Sequence, residues 1–277
     1  MKFTKMQGCG NDYVYVDCFK EKLDDRPALS RKVSDRHFGA GSDGLICICP
    51  SETADFKMDM YNADGSNAQM CGNGIRCLAK YVYERGMTDK KELKIETGAG
   101  IKTVWLTVES GVVTSVRVCM GAPEFEAAKV PVITDGKDFI NKPLDIGGMI
   151  WNATCVSVGN PHAVVFVDNV DWLDLPNLGP LFENNPIFPE RINTEFVQVL
   201  DRGTLKMRVW ERGSGETLAC GTGSTASLAA AVINGKCDDK VRMILLGGEL
   251  EIEWDRKENL IYMTGPASYV FDGELLM

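Results

Sequence analysis

Two cysteines stand where a thiol could exchange a proton with a ligand: Cys71 in Cys71-Gly72-Asn73-Gly74 and Cys220 in Cys220-Gly221-Thr222-Gly223. Each lies where a glycine-rich turn enters a segment of helical periodicity. The free N–H groups at a helix start carry partial positive charge. Such a setting lowers a thiol's pKa from about 8.5 toward neutrality, and the same N–H groups receive an anion such as a carboxylate. Inverting a stereocentre by proton transfer needs a base on one face of the carbon and an acid on the other. Two thiols sharing one cavity do not both ionise easily, so one thiolate and one thiol, titrating as a coupled pair, is the expected state. The chemistry these residues suggest is racemisation or epimerisation beside a carboxylate.

The elements that must position them are written twice. Asn160 stands 149 positions after Asn11, and Cys220 stands 149 after Cys71. Gly10-Asn11-Asp12 opens the apolar run VYVD, and Gly159-Asn160-Pro161-His162 opens AVVFVD. At the same offset Met58–Asn62 lies over Met207–Glu211, and Gly98 over Gly247. Agreement of several separate anchors at one offset marks an internal repeat. Alternating segments such as FKMDMY and LKMRVW predict strands, and a period near 3.6 after each cysteine predicts a helix. Ile75, Leu78, Ala79 and Val82 share one helical face with a stop at Gly86; Leu228, Ala229 and Val232 repeat this with a stop at Gly235. The second helix is nearly all small or apolar, as expected if sheet surrounds it. The expected fold is therefore α/β (α+β): two pseudo-symmetric halves, each a strongly curved, mostly antiparallel sheet wrapped around a central helix. The halves are residues 1–118, completed by 264–277, and residues 119–263.

Bulk properties narrow the classes. With 277 residues, 44% hydrophobic and 25% charged, the composition is that of a globular protein with a substantial core. No apolar stretch reaches the roughly 20 residues of a membrane span, and MKFTKMQGCGNDYVYVD lacks the features of a signal peptide, so a cytoplasmic protein is expected. A net charge of −9 without a basic block argues against nucleic-acid or anionic-membrane partners. Ten cysteines need sorting. A disulfide framework does not suit a cytosolic chain of this size, and no pair has zinc-ligand spacing, so no metal is expected. Cys47 and Cys49 alternate within LICIC and face one side of a strand. Cys9, Cys18, Cys77, Cys119, Cys155 and Cys237 have no counterpart in the other half and are read as structural. His37 is assigned no role.

Taken together, GCGNDYVYVD, HFGAGSDG, YNADGSNAQMCGNGIRC, VGNPHAVVFVD, RIN and WERGSGETLACGTGS resemble the diaminopimelate epimerase family over essentially the whole chain. The resemblance implies interconversion of LL- and meso-diaminopimelate without pyridoxal phosphate, metal or any other cofactor, and a homodimer. Residue by residue, it implies that Cys71 and Cys220 are the acid/base pair, tuned by His162 and Glu211. It implies that Asn11, Asn62, Asn160 and Asn193 hydrogen-bond the substrate's amino and carboxylate groups. Gly72-Asn73 and Gly221-Thr222 would offer backbone N–H groups to the reacting carboxylate. Glu211 would also hold the α-ammonium, and Arg212 the distal carboxylate, since a guanidinium fork suits a carboxylate. One position departs: some members carry glutamine where Gly44 stands, so no ligand role is assigned there.

Other readings are weaker. Gly39, Gly41 and Gly44 match G-x-G-x-x-G but follow a polar run and precede a strand, the wrong context for dinucleotide binding. Cys220–Ser224 lacks the lysine of a phosphate-binding loop. A proline or hydroxyproline racemase shares the two-cysteine plan but typically has histidine where Asn73 stands. From a different class, a thiol–disulfide protein would cycle Cys71 and Cys220 between dithiol and disulfide. That predicts redox exchange with a reductant and no α-proton exchange. An inert binding module has no need of matched thiols.

Overall fold

In the computed structural model, which describes residues 1–276, the chain opens with a tight hairpin. β1 (Lys2–Gly8) and β2 (Asn11–Asp17) pair antiparallel with Gly8 opposite Asn11, leaving only Cys9 and Gly10 in the turn. Both have positive φ, 52° and 82°, the handedness that lets a two-residue loop follow the strands' twist. This hairpin sets Asn11 at the first position of β2. α1 (Arg26–Ser34) starts at Asp25, whose side chain accepts the Ala28 N–H, with Pro27 in the first turn. β3 (Gly44–Cys49) pairs parallel with β2 and antiparallel with β4 (Phe56–Asn62), which a short β5 (Asn67–Ala68) flanks. After α2 (Gly72–Glu84) comes β6 (Glu92–Thr97), parallel to β4, then the antiparallel β7 (Gly100–Glu109) and β8 (Val112–Gly121). The strand Ser268–Glu274 returns to pair antiparallel with β1. Two compact units result: Met1–Cys119 with Thr264–Met277, and Met120–Met263.

The second unit repeats this order. β9 (Lys142–Ile146) precedes the hairpin of β10 (Met149–Ser157) and β11 (Pro161–Phe166). α3 (Leu175–Glu183) leads to β12 (Asn193–Asp201), parallel to β11, then to the antiparallel β13 (Thr204–Glu211) and β14 (Gly215–Thr217). α4 (Gly221–Ile233) is followed by β15 (Lys240–Leu245), parallel to β13, then β16 (Gly248–Asp255) and β17 (Leu260–Gly265). α3 begins and ends 149 residues after α1, and α4 stands in the same relation to α2.

Each of α2 and α4 is sunk into its sheet. α2 packs on β1, β2 and β7, and every residue from Gly72 to Val82 is buried. Even Arg76 is fully buried there; it donates to the carbonyls of Pro266 and Gly72, which offsets the desolvation of its charge. α4 packs on β10, β11, β12, β15 and β16. Its alanines at 226, 229, 230 and 231 are fully buried and allow strands to approach on all sides. Both helices end two residues before a glycine of positive φ, Gly86 at 70° and Gly235 at 68°, the left-handed position that stops a helix.

Candidate active site

In the first unit the site grows from the head of α2. Cys71 is its N-cap, with extended backbone, and its sulfur accepts the Gly74 N–H at 3.3 Å. The thiol donates to Asn11 Oδ1 at 3.1 Å, and Asn73 Nδ2 donates to the same oxygen at 3.3 Å. What fixes the Asn11 amide is Asp43: its Oδ2 accepts Asn11 Nδ2 at 2.7 Å and the Asp12 N–H at 3.1 Å, while Arg36 bonds its other oxygen. Burial raises the Asp43 carboxyl, and the bonds from Asn11 and Asp12 oppose that rise. Burial, with the nearby Cys71 sulfur next, holds the Tyr13 pKa well above the ordinary value, so it stays a phenol. The amide of Asn62 is taken up by Ser66 in the β4–β5 turn. A side chain at Gly44 would place Cβ 2.1 Å from the Tyr61 carbonyl oxygen, which explains why glycine stands there in this chain.

In the second unit Cys220 is the N-cap of α4, its sulfur accepting the Gly223 N–H at 3.3 Å and lying 3.4 Å from Thr222 Oγ1. The Glu211 carboxylate, which accepts the Thr217 hydroxyl, is near enough for its charge to act on this thiol. The helix-start argument predicts a thiol pKa drawn toward neutrality, and here the structure differs. Burial, then the charges of Glu211 and Glu195, push Cys220 well above its ordinary value; the bonds from Thr222 and Gly223 only oppose this. Without a ligand Cys220 is a thiol. Glu211 is itself raised, first by burial, so the pair sits in a strongly desolvated corner.

Asn160 donates through Nδ2 to Thr222 Oγ1 at 3.3 Å, and its Oδ1 lies 3.0 Å from His162 Nε2. His162 is fully buried, with Nδ1 2.7 Å from Glu195 Oε1. Both ring nitrogens are thus occupied, and His162 connects with Cys220 through Asn160 and Thr222. The Asn193 amide is held within its own unit: its Oδ1 accepts the Arg212 N–H at 3.0 Å, and its Nδ2 donates to the Pro161 carbonyl at 2.8 Å. The Arg212 guanidinium donates to the Glu190 carbonyl. At both helix starts the third N–H serves the cysteine sulfur. The first two, of Gly72 and Asn73 and of Gly221 and Thr222, precede any intrahelical partner and are the natural donors to a carboxylate. Sequence reasoning missed Asp43, Tyr13 and Glu195. The first two lie inside the quoted motifs, whereas Glu195 gives no signal until the two repeats are laid over each other.

The sequence profile of diaminopimelate epimerase matches residues 3–126 and 154–270. The chain is 56% identical to a diaminopimelate epimerase of Acetivibrio thermocellus, over 99% of this chain and 98% of that one. The chain belongs to the diaminopimelate epimerase family. A diaminopimelate epimerase of Agathobacter rectalis is 57% identical, over 99% of both chains. Among solved structures, a probable proline racemase of Agrobacterium radiobacter superposes with a TM-score of 0.74 at 15% identity, over 100% of this chain and 93% of that one. A phenazine biosynthesis protein of the PhzF family from Bacillus anthracis gives 0.70 at 20% identity, over 100% and 99%. These two share the fold of the diaminopimelate epimerase family: mixed α/β, dominated by curved sheet with few helices.

Proposed function

We infer that the chain is an isomerase that interconverts LL- and meso-2,6-diaminopimelate, in lysine and cell-wall precursor biosynthesis. The observation that carries this reading is the matched pair of helix-capping cysteines, each with a polar group at hand: the Asn11 amide, which accepts the Cys71 thiol, and the Glu211 carboxylate, whose charge acts on Cys220. In this reading Cys71 and Cys220 serve opposite faces of the α-carbon. For Cys220 to act as base, Glu211 takes the thiol proton and the thiolate removes the α-proton, while the Cys71 thiol supplies a proton to the other face. The reverse reaction exchanges the roles. Charge that develops on the substrate carboxylate is met by the N–H groups of Gly72, Asn73, Gly221 and Thr222, donors held in place before the reaction begins.

Asn11 and Asn160, each turned by a partner behind it, orient the reacting end; Asn62, Asn193 and Arg212 complete the reading for the remaining polar groups. The enzyme requires no cofactor in this scheme, works in the cytoplasm and assembles as a homodimer. The test is incubation with LL-diaminopimelate in deuterated water, following deuterium entry at the α-carbon. Exchange with formation of the meso isomer is expected. Exchange with proline but not diaminopimelate would move the chain to the proline racemases, and dithiol–disulfide cycling without α-exchange would make it a redox protein.

A further inference from the structure

Arg212 stands in the loop between β13 and β14, and that loop is fastened from outside its own hairpin. The Arg212 N–H goes to Asn193 Oδ1 at 3.0 Å, and the Gly213 N–H goes to Glu183 Oε1 at 2.9 Å. Glu183 is the last residue of α3 and is buried. Its Oε1 also accepts Arg191 Nη1 at 2.9 Å, and its Oε2 accepts Trp210 Nε1 at 2.7 Å. One side chain thus gathers the residues on either side of Glu211-Arg212 together with a residue two positions before Asn193. The Arg191 contact bears on Arg212 a second time, because the Arg212 guanidinium donates to the carbonyl of Glu190, the neighbour of Arg191. Arg191 has φ of 59°, a left-handed backbone that a residue other than glycine adopts at a cost. α3 is seated closely enough for this: a Cβ on Gly179 would fall 2.2 Å from the Trp210 ring, so only glycine lets the helix lie against that indole.

The first unit shows what the fold itself needs at this place. Ser34 stands 149 residues before Glu183, and Ser42 stands 149 before Arg191. Both serines are buried, and the Ser42 hydroxyl donates to the Ser34 hydroxyl at 3.2 Å. The contact is kept in both units, but in the second it is made by a carboxyl group, whose burial is costly unless it is hydrogen-bonded. The loops differ in step: Tyr61, Ala63 and Asp64 stand where Trp210, Arg212 and Gly213 stand. The Tyr61 hydroxyl bonds Asp59 of its own strand, and Asp64 bonds Ser66 of its own turn. α1 meets that loop as a donor, from Ser30 and Arg31 to the carbonyls of Asn62 and Asp64. The unit with a guanidinium in the loop is the unit in which a buried glutamate fastens the loop.

We propose that Glu183 is a positioning residue that fixes where Arg212 stands and so sets the enzyme's grip on the distal carboxylate of its substrate. It acts on binding and spares the proton transfer, because Glu211 is held separately, by its ladder pairing with Gly215 and by the Thr217 hydroxyl. The proposal rests on the reading above, in which Arg212 receives the distal carboxylate.

Among the described residues all three partners of the Glu183 side chain are donors. Glu183→Gln, the same in shape, must therefore turn its NH2 toward one of them whichever way the amide lies, and the loop is released at Gly213 or at Trp210. KM for LL-diaminopimelate is expected to rise on the order of 10- to 100-fold, while kcat changes little, the pattern of a lost binding interaction. Backbone hydrogen exchange over residues 210–215, read by mass spectrometry, should quicken while that of α4 does not. Arg191→Gly is a second arm that leaves the fold intact: the side chain is half-exposed, and glycine suits the left-handed backbone there. It should raise KM severalfold in the same sense. A Glu183→Gln enzyme with native KM, one that loses kcat at native KM, or one with native hydrogen exchange over 210–215 overturns the proposal. If Glu183→Gln does not fold, an unchanged KM in Arg191→Gly overturns it. Absence of α-deuterium exchange by the native enzyme would remove the functional reading and the affinity role with it, and hydrogen exchange would still report whether Glu183 fastens the loop.

Discussion

Replacing Glu211 by Gln separates two effects that the native site combines. In the proposed scheme the Glu211 carboxylate takes the Cys220 proton, and by its charge it stands second only to burial among the causes that push that thiol's pKa up. Glutamine keeps the shape and the Thr217 contact but removes the charge. Removing that charge must move the Cys220 pKa, since Glu211 is among the causes that set it. The direction is downward, because a negative neighbour disfavours a second negative charge and Glu211→Gln removes it. Cys220 should therefore ionise more readily in the variant while turnover falls on the order of 10²- to 10⁴-fold, the cost of losing a positioned proton acceptor. The pH dependence of iodoacetamide alkylation, read at the Cys220 peptide by mass spectrometry to separate it from the other nine cysteines, gives the first quantity. Deuterium exchange at the α-carbon gives the second. An unchanged or higher apparent pKa for Cys220, or a variant that turns over normally, would refute the reasoning.

Cys71→Ser and Cys220→Ser should each nearly abolish epimerisation, since a two-base exchange fails when either sulfur is replaced by a far less acidic hydroxyl; steady-state rates in both directions check this. Gly223→Ala should displace Glu195, anchored on His162, and destabilise by about 1–3 kcal/mol, whereas Gly74→Ala meets most closely the free ends of the Ile46 and Met58 side chains and should cost less; urea unfolding of both measures the difference. Burial raises Cys77 from 9.0 to about 11. The native state thus holds that proton longer than the unfolded chain does, so stability is complete below about pH 9 and declines as pH rises toward 11. The decline amounts to about 3 kcal/mol from this residue, and urea midpoints across that range should fall less steeply for Cys77→Ala.

Much of the architecture could be read from the sequence because a repeat constrains itself. The 149-residue offset between Cys71 and Cys220 aligns α2 with α4 residue for residue, and the 3.6-residue periods after the cysteines mark both helices. α1 and α3 gave no such sign. α1 carries a polar run, Arg26–Ser34, on the strength of the Asp25 cap and Pro27, and α3 has a proline inside it at Pro180. Both signals are local and weak beside tertiary packing. At the site, residue types were legible but ionisation was not. A helix start argues for an acidic thiol, and nothing in Cys220-Gly221-Thr222-Gly223 reveals that Glu195 and Glu211, far off in sequence, converge on that sulfur. Asn193 was equally ambiguous: an amide that could bind a ligand is occupied by Arg212 and Pro161.

The differences between the repeats carry more about mechanism than their agreement does. Around Cys71 the groups are neutral, the Asn11 amide and the Tyr13 phenol, with the Asp43 carboxylate one step behind. Around Cys220 the equivalents of Tyr13, Ile46 and Asn62 are His162, Glu195 and Glu211. One backbone thus supports two ways of holding a thiol proton: an amide oxygen that can only accept it in a hydrogen bond, and a carboxylate that can take it. Two chemically identical sulfurs need such a difference, because a symmetric pair gives no preference for which thiol yields its proton first. With negative charge gathered on one side, Cys220 rests protonated. In the proposed scheme, the α-ammonium of the substrate is the group whose arrival would offset that charge and make the Cys220 thiolate accessible.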